Sequence, residues 1–204
     1  MRSLERPGYA RRTLGAYRTY AASAIENWER SARASQFLRQ FAKALFDGAK
    51  VLDYGCGIGT DMLWLKNRGL LLEGIDGNPV FVKEAKRRLP GVSIWCAGFE
   101  EAALAPAHYD GIWCNAALMH VPPATLAEQL RSLRRALRPQ GVLGITLAWG
   151  RRKGYTERDW IPGRYIAAYS KQEVIRLLGQ WKVQTLRVRS GDGRNGRWIQ
   201  VLAS

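Results

Sequence analysis

Three glycines follow an acidic residue at alternate positions in the first third of the chain. The apolar run Val51-Leu52 ends in Asp53, and Gly55, Gly57 and Gly59 come soon after it. This pattern predicts a buried strand that ends in a tight turn at the start of a helix. Glycines at such a turn let the backbone approach a ligand closely, because no Cβ fills the space. The spacing is G-x-G-x-G, whereas dinucleotide-binding proteins typically carry G-x-G-x-x-G.

A second carboxylate lies at the end of the next apolar segment. Asp76 directly follows Leu70–Ile75, and it comes 17 residues after Gly59. A carboxylate at this position can accept hydrogen bonds from both hydroxyls of a ribose. Within Asp76-Gly77-Asn78-Pro79 it could instead shape a turn. The glycine pattern nearby favours the ribose interpretation, and both stay open from the residues alone.

The chain has two histidines that could move a proton. His108 precedes a predicted strand and is expected at the surface. His120 follows the end of that strand, Tyr109–Cys114, and is expected to face a cleft. An imidazole there could act as a general base, since its usual pKa lies near neutrality. A structural role in the loop is the alternative.

These residues need strands and helices that alternate along the chain. Strands are predicted to begin at Val51 and to cover Leu70–Ile75, Val92–Ala97, Tyr109–Cys114, Val142–Trp149, Val183–Val188 and Trp198–Leu202. Helices are predicted at about 60–68, at Asn78–Leu89 and Ala124–Leu137, and from a Ser170 cap to Leu178. This order indicates an α/β fold with a mostly parallel sheet, whose ligands bind beyond the carboxyl ends of the strands.

The remaining segments are expected to cover this core. Residues 1–13 are predicted to be frayed, and 14–46 to form one or two helices that end at Gly48. We expect a single domain, in which 1–48 is a helical lid, 49–204 is the core and 150–169 is an irregular loop over the substrate. Gly191–Arg197 is predicted to join the last two strands as a hairpin.

Composition and charge narrow the class of protein. The chain has 204 residues, 47% of them apolar, and no apolar run of the roughly 20 residues that cross a bilayer. The N-terminus does not look like a secretory signal. Cys56, Cys96 and Cys114 are too few and too scattered for a disulfide framework or a metal site, so we expect no metal and a cytoplasmic location.

Positive charge is concentrated in the last third of the chain. The net charge is +15, and residues 131–204 carry 16 basic and 4 acidic side chains. Arg131, Arg134, Arg135 and Arg138 are predicted to share one helical face. Such asymmetry can mark a nucleic-acid surface, and a solvated arginine-rich surface is the alternative.

Four segments together resemble the class I S-adenosylmethionine (SAM)-dependent methyltransferases. They are VLDYGCGIGTD, GIDGNPVFVKEAKRR, YDGIWCNAALMHVP and LRRALRPQGVL, and the resemblance spans about residues 14–204. Within this class, the chain resembles the small bacterial one-domain enzymes that are grouped as type 11 or tellurite-resistance methyltransferases. It implies a Rossmann-like, doubly wound, seven-stranded sheet with an antiparallel last strand and helices on both faces. It also implies SAM as cofactor and S-adenosylhomocysteine (SAH) as product.

The resemblance assigns roles to residues at the strand ends. Gly55, Cys56 and Gly57 would line the methionine part of SAM, and Asp53 would orient that turn or bind the SAM amino group through water. Asp76 would bind the ribose. The adenine would lie beside Gly77 and Asn78. Where these enzymes often carry an acid directly after a glycine, Phe99 follows Gly98, so either Glu100 would bind the adenine amino group or Phe99 would pack on the ring. Near the sulfonium would lie Asn115, with Leu118 and His120.

The acceptor would bind beside the SAM site, against aromatic and basic side chains. The candidates are Tyr20, Trp28, Tyr155, Trp160, Arg164, Tyr165 and Tyr169. Arginine suits a carboxylate or phosphate, whereas aromatic rings suit a cationic amine, and both remain open. The leading hypothesis is methyl transfer to an oxygen, nitrogen or sulfur of a small molecule, by a monomer or homodimer. A tRNA or other RNA methyltransferase and a non-catalytic SAM-binding module are alternatives, and the glycine spacing disfavours an NAD-dependent oxidoreductase.

Overall fold

The computed structural model describes residues 7–30, 34–190 and 196–204, and its helices and strands alternate through the core. The helices are α1 (Gly8–Thr19), α2 (Ala21–Arg30), α3 (Gln36–Lys43), α4 (Thr60–Lys66), α5 (Pro79–Arg88), α6 (Pro123–Ala136) and α7 (Lys171–Leu177). The strands are β1 (Lys50–Tyr54), β2 (Leu71–Asp76), β3 (Ser93–Cys96), β4 (Tyr109–Cys114), β5 (Leu137–Trp149), β6 (Lys153–Tyr155), β7 (Tyr165–Tyr169), β8 (Val183–Ser190) and β9 (Arg197–Ala203).

The strands form one twisted, mostly parallel arrangement. β3, β2, β1, β4 and β5 lie side by side in that order, and each pair is parallel. β9 pairs antiparallel with β5 on one side and with β8 on the other. The predicted α/β class, mostly parallel sheet and antiparallel last strand are therefore confirmed. The last two strands pair as predicted, although 191–195 of their connection lie outside the described residues.

Helices cover both faces of the sheet, as predicted. Alternate residues of β1 point to opposite faces, so that Val51 packs in one apolar cluster and Leu52 in another. The cluster around Val51 includes Phe37 and Phe41 of α3. The cluster around Leu52 includes Leu126 and other residues of α6, together with residues of α7. The sheet is thus the middle layer, and its carboxyl edge stays open between the two helical layers.

The strand count differs from the prediction, because the described residues form nine strands and not seven. The two additional strands, β6 and β7, lie in the 150–169 segment that was expected to be irregular. They pair antiparallel with each other, and Ala168 and Tyr169 of β7 pair with the end of β5. Both strands are short and depend on long-range pairing, which local periodicity does not reveal.

The N-terminal prediction was wrong in its boundaries. α1 begins at Gly8, so residues 8–13 are helical and not frayed, while 1–6 lie outside the described residues. Tertiary contact stabilises this turn, since the Thr13 hydroxyl accepts a hydrogen bond from the Tyr165 backbone N–H at 3.0 Å. The 14–46 region holds parts of three helices, with 31–33 not described. α3 ends at Lys43, before the predicted stop at Gly48.

Two helix caps were predicted correctly, and one helical face was not. Asn78 caps α5 by accepting a hydrogen bond from the Val80 N–H, and Ser170 caps α7 in a capping box. α6 ends at Ala136, so Arg138 belongs to β5, where it pairs with Asp110 at 2.8 Å. The predicted row of four arginines on one helix is therefore wrong at its last member.

Two observations bear on the environment of the chain. Among the helices in the described ranges, none has both the length and the apolar character needed to cross a membrane. Cys56 and Cys114 are buried, and neither is part of a disulfide among the described residues. A cytoplasmic location stays a prediction.

Candidate functional site

The carboxyl ends of β1, β2, β4 and β5 open into one cavity of about 980 Å³. Helices α1 and α2 close it from one side, the segment that includes Asp159 and Arg164 closes it from another, and the first residues of β9 form part of its rim. The strands are parallel, so their carboxyl ends meet at this edge. The residues predicted from the glycine turn and from Asp76 do come together here.

The glycine turn after β1 needs glycine for both conformation and space. Gly55 has a φ of +89° and Gly57 a φ of +53°, in the left-handed region that side chains disfavour. A Cβ on Gly55 would lie 2.3 Å from the Cβ of Ala117 and 3.4 Å from the Phe99 ring. The backbone N–H groups of Gly55 and Cys56 both donate to the carbonyl of Ile75 at 2.9 Å. The turn is therefore held against β2 with its backbone facing the cavity.

Asp76 both shapes the turn and lines the cavity. Its Oδ2 accepts the Gly57 N–H at 2.9 Å, and its Oδ1 accepts the Asn78 N–H at 2.8 Å. Burial raises the pKa of this carboxyl, and the two N–H groups oppose that rise. Each carboxylate oxygen can accept a further hydrogen bond, so a ligand hydroxyl could still be bound. The two sequence interpretations are therefore compatible in one residue.

Three carboxyl groups face this part of the cavity. Asp53 is 3% exposed, and burial together with Asp61 and Asp76 raises its pKa well above the usual value. Burial also raises the pKa of Asp61, although hydrogen bonds from Trp113 and Asn115 oppose it. Burial and mutual repulsion thus disfavour the ionised forms of the carboxyl groups at this end of the cavity. A cationic ligand would relieve the repulsion among these groups.

Asn115 is fixed by groups on two neighbouring elements. Its Nδ2 donates to Asp61 Oδ2 at 3.1 Å, and its Oδ1 accepts from the Thr146 hydroxyl at 2.8 Å. Thr146 also accepts the backbone N–H of Ala116, which has a φ of +53°. The loop after β4 is therefore positioned by β5 and by the start of α4.

The end of β3 brings Phe99 and Glu100 to the cavity, so both residues named for the adenine contact are present. The Phe99 ring packs on Tyr54, with centroids 4.8 Å apart. Glu100 accepts a hydrogen bond from the hydroxyl of Tyr9 on α1.

His120 lines the cavity and is buried in a defined hydrogen-bond chain. The Arg164 guanidinium donates to the Tyr17 hydroxyl at 2.8 Å, and that hydroxyl lies 2.9 Å from His120 Nε2. His120 Nδ1 lies 2.8 Å from the carbonyl of Tyr165. Since a carbonyl only accepts, Nδ1 carries the proton and Nε2 accepts from Tyr17. Burial and the nearby Arg164 charge lower the pKa of His120 to about 4, so the imidazole is neutral near pH 7.

Aromatic side chains form one wall of the cavity, and the Trp28 ring lies against the glycine turn at Gly57. Trp28 of α2 makes edge contacts with Phe81 of α5 at 4.8 Å and with Trp160 at 6.4 Å between ring centroids. Tyr17 packs edge-on against Phe81 at 5.8 Å. This wall offers an apolar surface that excludes water from one side of the cavity.

The predicted acceptor residues are only partly brought together. Trp28, Trp160 and Arg164 line the cavity. Tyr20 is exposed at the end of α1, and Tyr155 stacks under Arg12 on the outer side of β6. Tyr165 reaches the network through its backbone, while Tyr169 borders a separate groove between α6 and α7.

Several cavity residues were absent from the sequence prediction. They are Tyr9, Thr13, Tyr17, Asp61, Trp149, Asp159, Arg197 and Trp198. Asp61 could have been found, because it closes the glycine segment itself. Tyr17 carried no local signal for a bond to His120, which lies 103 residues away.

Comparison with protein families assigns the core of the chain. Residues 51–141 match a family model described as a methyltransferase domain. The malonyl-[acyl-carrier protein] O-methyltransferase of Enterobacter lignolyticus is 33% identical over 152 residues, which cover 71% of this chain and 60% of that protein. The thiopurine S-methyltransferase of Pseudomonas fluorescens is 28% identical, with 77% and 78% covered. The chain spans 60%, 48% and 38% of the length of three curated relatives it matches.

A solved structure shares the fold over nearly the whole chain. It is the 1,6-didemethyltoxoflavin-N1-methyltransferase of Burkholderia thailandensis with bound 1,6-didemethyltoxoflavin and S-adenosylhomocysteine. The TM-score is 0.79 at 20% sequence identity, and the match covers 96% of this chain and 88% of that one. The likeness shows that the sheet and its helices have the methyltransferase arrangement.

Proposed function

We propose that this chain, which carries a class I SAM-dependent methyltransferase domain, transfers a methyl group from SAM to an oxygen, nitrogen or sulfur of a small molecule. The observation that carries this proposal is the glycine turn, which donates a hydrogen bond to Asp76 at the edge of the cavity where Asp53 and Asp61 also lie. The relatives' names support it, since they include O- and S-methyltransferases. The N-methyltransferase that shares the fold was solved with a small-molecule ligand and SAH.

The residues present fit SAM in three respects. Gly55 lets the turn lie against Ala117 and Phe99, where a Cβ would clash, while its backbone lines the cavity. Asn78 is 1% exposed and lines the cavity, and its Nδ2 has no hydrogen-bond partner among the described residues. Asp76 retains capacity to accept from ribose hydroxyls. We therefore assign Gly55 and Gly57 to the methionine part, Asp76 to the ribose and Asn78 to the adenine side.

The electrostatics also fit a cation. SAM supplies an electrophilic methyl group on a positively charged sulfur. Asp53, Asp61 and Asp76 favour a positive ligand, and its charge would return the pKa of Asp53 towards its usual range. Asn115 donates a hydrogen bond to Asp61, so the charge of a cation bound beside Asp61 would also act on the loop after β4.

The chain's own residues position the acceptor and can receive its proton. The aromatic wall of Trp28, Phe81 and Trp160 excludes water, and holding the acceptor in line is the main source of rate. A proton from the acceptor would reach His120 through Tyr17, whose hydroxyl donates a hydrogen bond to His120 Nε2. We propose that an acceptor proton moves to the Tyr17 oxygen as the Tyr17 proton moves to His120. The low pKa of His120 restricts this step to acceptors that become acidic as they react.

Label transfer tests the proposed function. The purified protein is incubated with methyl-labelled SAM and a desalted cell extract, which is then separated into small molecules, RNA and protein. We expect label among the small molecules, and calorimetry should show SAH binding. Label in RNA alone would contradict the small-molecule assignment, and SAH binding without label in any fraction would support the non-catalytic alternative.

Asp76→Ala is the matched test of the site. Loss of a charged hydrogen-bonding partner should weaken SAH binding by about 1–3 kcal/mol and reduce labelling at low SAM. Asp47→Ala also removes one carboxylate, but from an exposed turn outside the cavity, and should leave binding unchanged. Equal affinities in the two variants would remove Asp76 from the site.

A further inference from the structure

Three of the arginines that the structure describes line the cavity, and two of these are paired with carboxylates. Arg164 pairs with Asp159, and Arg30 lies 3.8 Å from Glu26. Arg197, at the start of β9, has no carboxylate partner in the described ranges 7–30, 34–190 and 196–204. Among the residues of these ranges, none neutralises its charge, which faces the cavity that an anion would enter.

Trp149 orients the guanidinium of Arg197 at the rim. The Arg197 Cζ lies 4.0 Å from the centroid of the Trp149 ring. The two residues are adjacent because β5 and β9 pair antiparallel, with Ala148 opposite Trp198. Stacking uses the face of the guanidinium and leaves its in-plane N–H groups able to bind two oxygens of one carboxylate or phosphate.

Arg197 and the loop after β4 contact β5 at different points along the strand. Arg197 lies against Trp149 at the carboxyl end of β5, whereas Asn115 is held by Thr146, three residues earlier. At a rise of about 3.3 Å per residue, the backbones of Thr146 and Trp149 are about 10 Å apart. Asn115 and Arg197 both line the cavity, so a small molecule bound in it can lie between them.

The geometry points to Arg197 as the anion-binding residue of the acceptor subsite. The acceptor then carries a carboxylate or phosphate at the end opposite the methylated atom. This inference rests on the proposed function, because it assigns the acceptor of that reaction. Arg164 does not serve this role, since its charge is neutralised by Asp159 and its N–H groups bond Tyr17 and the Ile161 carbonyl. Arg164 is a positioning residue for Tyr17.

Binding of simple aromatic anions to the SAH-saturated protein tests this assignment. The probes are benzoate, phenyl phosphate and the uncharged methyl benzoate, titrated by calorimetry and by tryptophan fluorescence. We compare the wild type with Arg197→Gln, Arg197→Lys and Arg131→Gln. Arg131 is an exposed arginine on α6 outside this cavity, so its substitution removes the same charge elsewhere.

We expect the wild type to bind at least one anion at millimolar concentration and more tightly than methyl benzoate. Arg197→Gln should lower the affinity for that anion by about tenfold or more, and Arg197→Lys should restore part of the lost affinity. The affinities of Arg197→Gln for methyl benzoate and for SAH should stay within about twofold of the wild type. All affinities of Arg131→Gln should stay within the same limit. A stronger response to phenyl phosphate than to benzoate would identify a phosphate acceptor, and the reverse would identify a carboxylate.

Three results would overturn the assignment while leaving the proposed function intact. The first is normal SAH binding by a wild type that shows no saturable anion binding. The second is an anion affinity in Arg197→Gln equal to that of the wild type. The third is an equal loss of affinity for methyl benzoate and for the anions in Arg197→Gln. The last would mean that Arg197 acts only by packing on Trp149. Failure of the wild type to bind SAH would instead contradict the proposed function itself.

Discussion

His120 shows how the surroundings of a single residue decide its chemistry. Its two ring nitrogens are both engaged, one by the Tyr165 carbonyl and one by the Tyr17 hydroxyl. Burial and the Arg164 charge make protonation costly. A buried neutral imidazole of this kind serves equally to fix the Tyr17 hydroxyl and to receive its proton. The proposed base role therefore belongs to the Tyr17–His120 pair and stays a prediction.

The depressed pKa of His120 predicts a specific dependence of stability on pH. The folded-state pKa of about 4 lies below the usual 6.5, so the folded protein takes up this proton less readily than the unfolded chain. The stabilisation is present above pH 6.5 and is lost as the pH falls towards 4. Relative to His120→Gln, the wild type should lose up to about 3 kcal/mol of unfolding free energy across this range.

Denaturant unfolding at several pH values measures this loss. His108→Gln is the matched control, because it removes the other histidine, which lies outside the cavity and is partly exposed. That variant should keep the wild-type loss between pH 6.5 and 4. Parallel curves for wild type and His120→Gln would show that His120 is not held neutral by the fold.

Secondary structure was predictable where local patterns specify it. The order of strands, the Asn78 cap and the Ser170 capping box follow from apolar periodicity and from side chains that hydrogen-bond nearby backbone. β6 and β7 were missed because three- and five-residue strands are stabilised by pairing with distant residues. The predicted start of α1 was too far along the chain for a similar reason. Its first turns are polar and are stabilised by hydrogen bonds to distant residues.

The cavity was predictable on the strand side and not on the helical side. Asp53, Asp76 and Asn115 end strands, so parallel topology alone brings them together. Tyr17 and Arg164 are 147 residues apart, and nothing in either local pattern indicates that they bond. Arg197 was predicted to lie in the turn between the last two strands, whereas it is the first residue of β9 and lies against Trp149 of β5.

Helices α1 and α2 are expected to act as a lid over the cavity. α1 is attached by a few polar contacts, including Tyr9 with Glu100 and Thr13 with Tyr165, and Leu14 lies against Gly77. A ligand beneath these helices should suppress their opening. SAH should therefore slow amide hydrogen exchange in residues 8–30 more than in the strands β8 and β9.

Hydrogen exchange with mass spectrometry measures this protection. Tyr9→Phe removes the bond to Glu100 and should speed exchange in residues 8–19 without SAH. The control is Tyr109→Phe, which removes a similar hydrogen bond to Glu73 at the amino end of β4, outside the cavity. Exchange in 8–30 that is unaffected by SAH would contradict a lid.

The charge of the whole molecule is asymmetric, but many of its basic groups already have local partners. In the last third, Arg138 pairs with Asp110, Arg152 donates to the Tyr155 carbonyl, and Arg187 bonds Gln200. Arg134 lies over the Trp181 ring at 5.3 Å. Such groups keep their charge and can still attract polyanions, but they are not arranged as one open stripe of free donors. This favours the solvated-surface interpretation.

This interpretation predicts weak binding of the protein to RNA. The surface charge should give affinity for unstructured RNA or tRNA at low salt, and that affinity should fall steeply as salt rises, because counterion release drives it. At physiological ionic strength we expect no saturable complex and no methyl label in RNA, while label in small molecules persists. Filter binding across a salt series, with label transfer measured at each salt concentration, separates the two functions. A saturable RNA complex at physiological salt, together with label in the bound RNA, would make the basic third of the chain part of the substrate site.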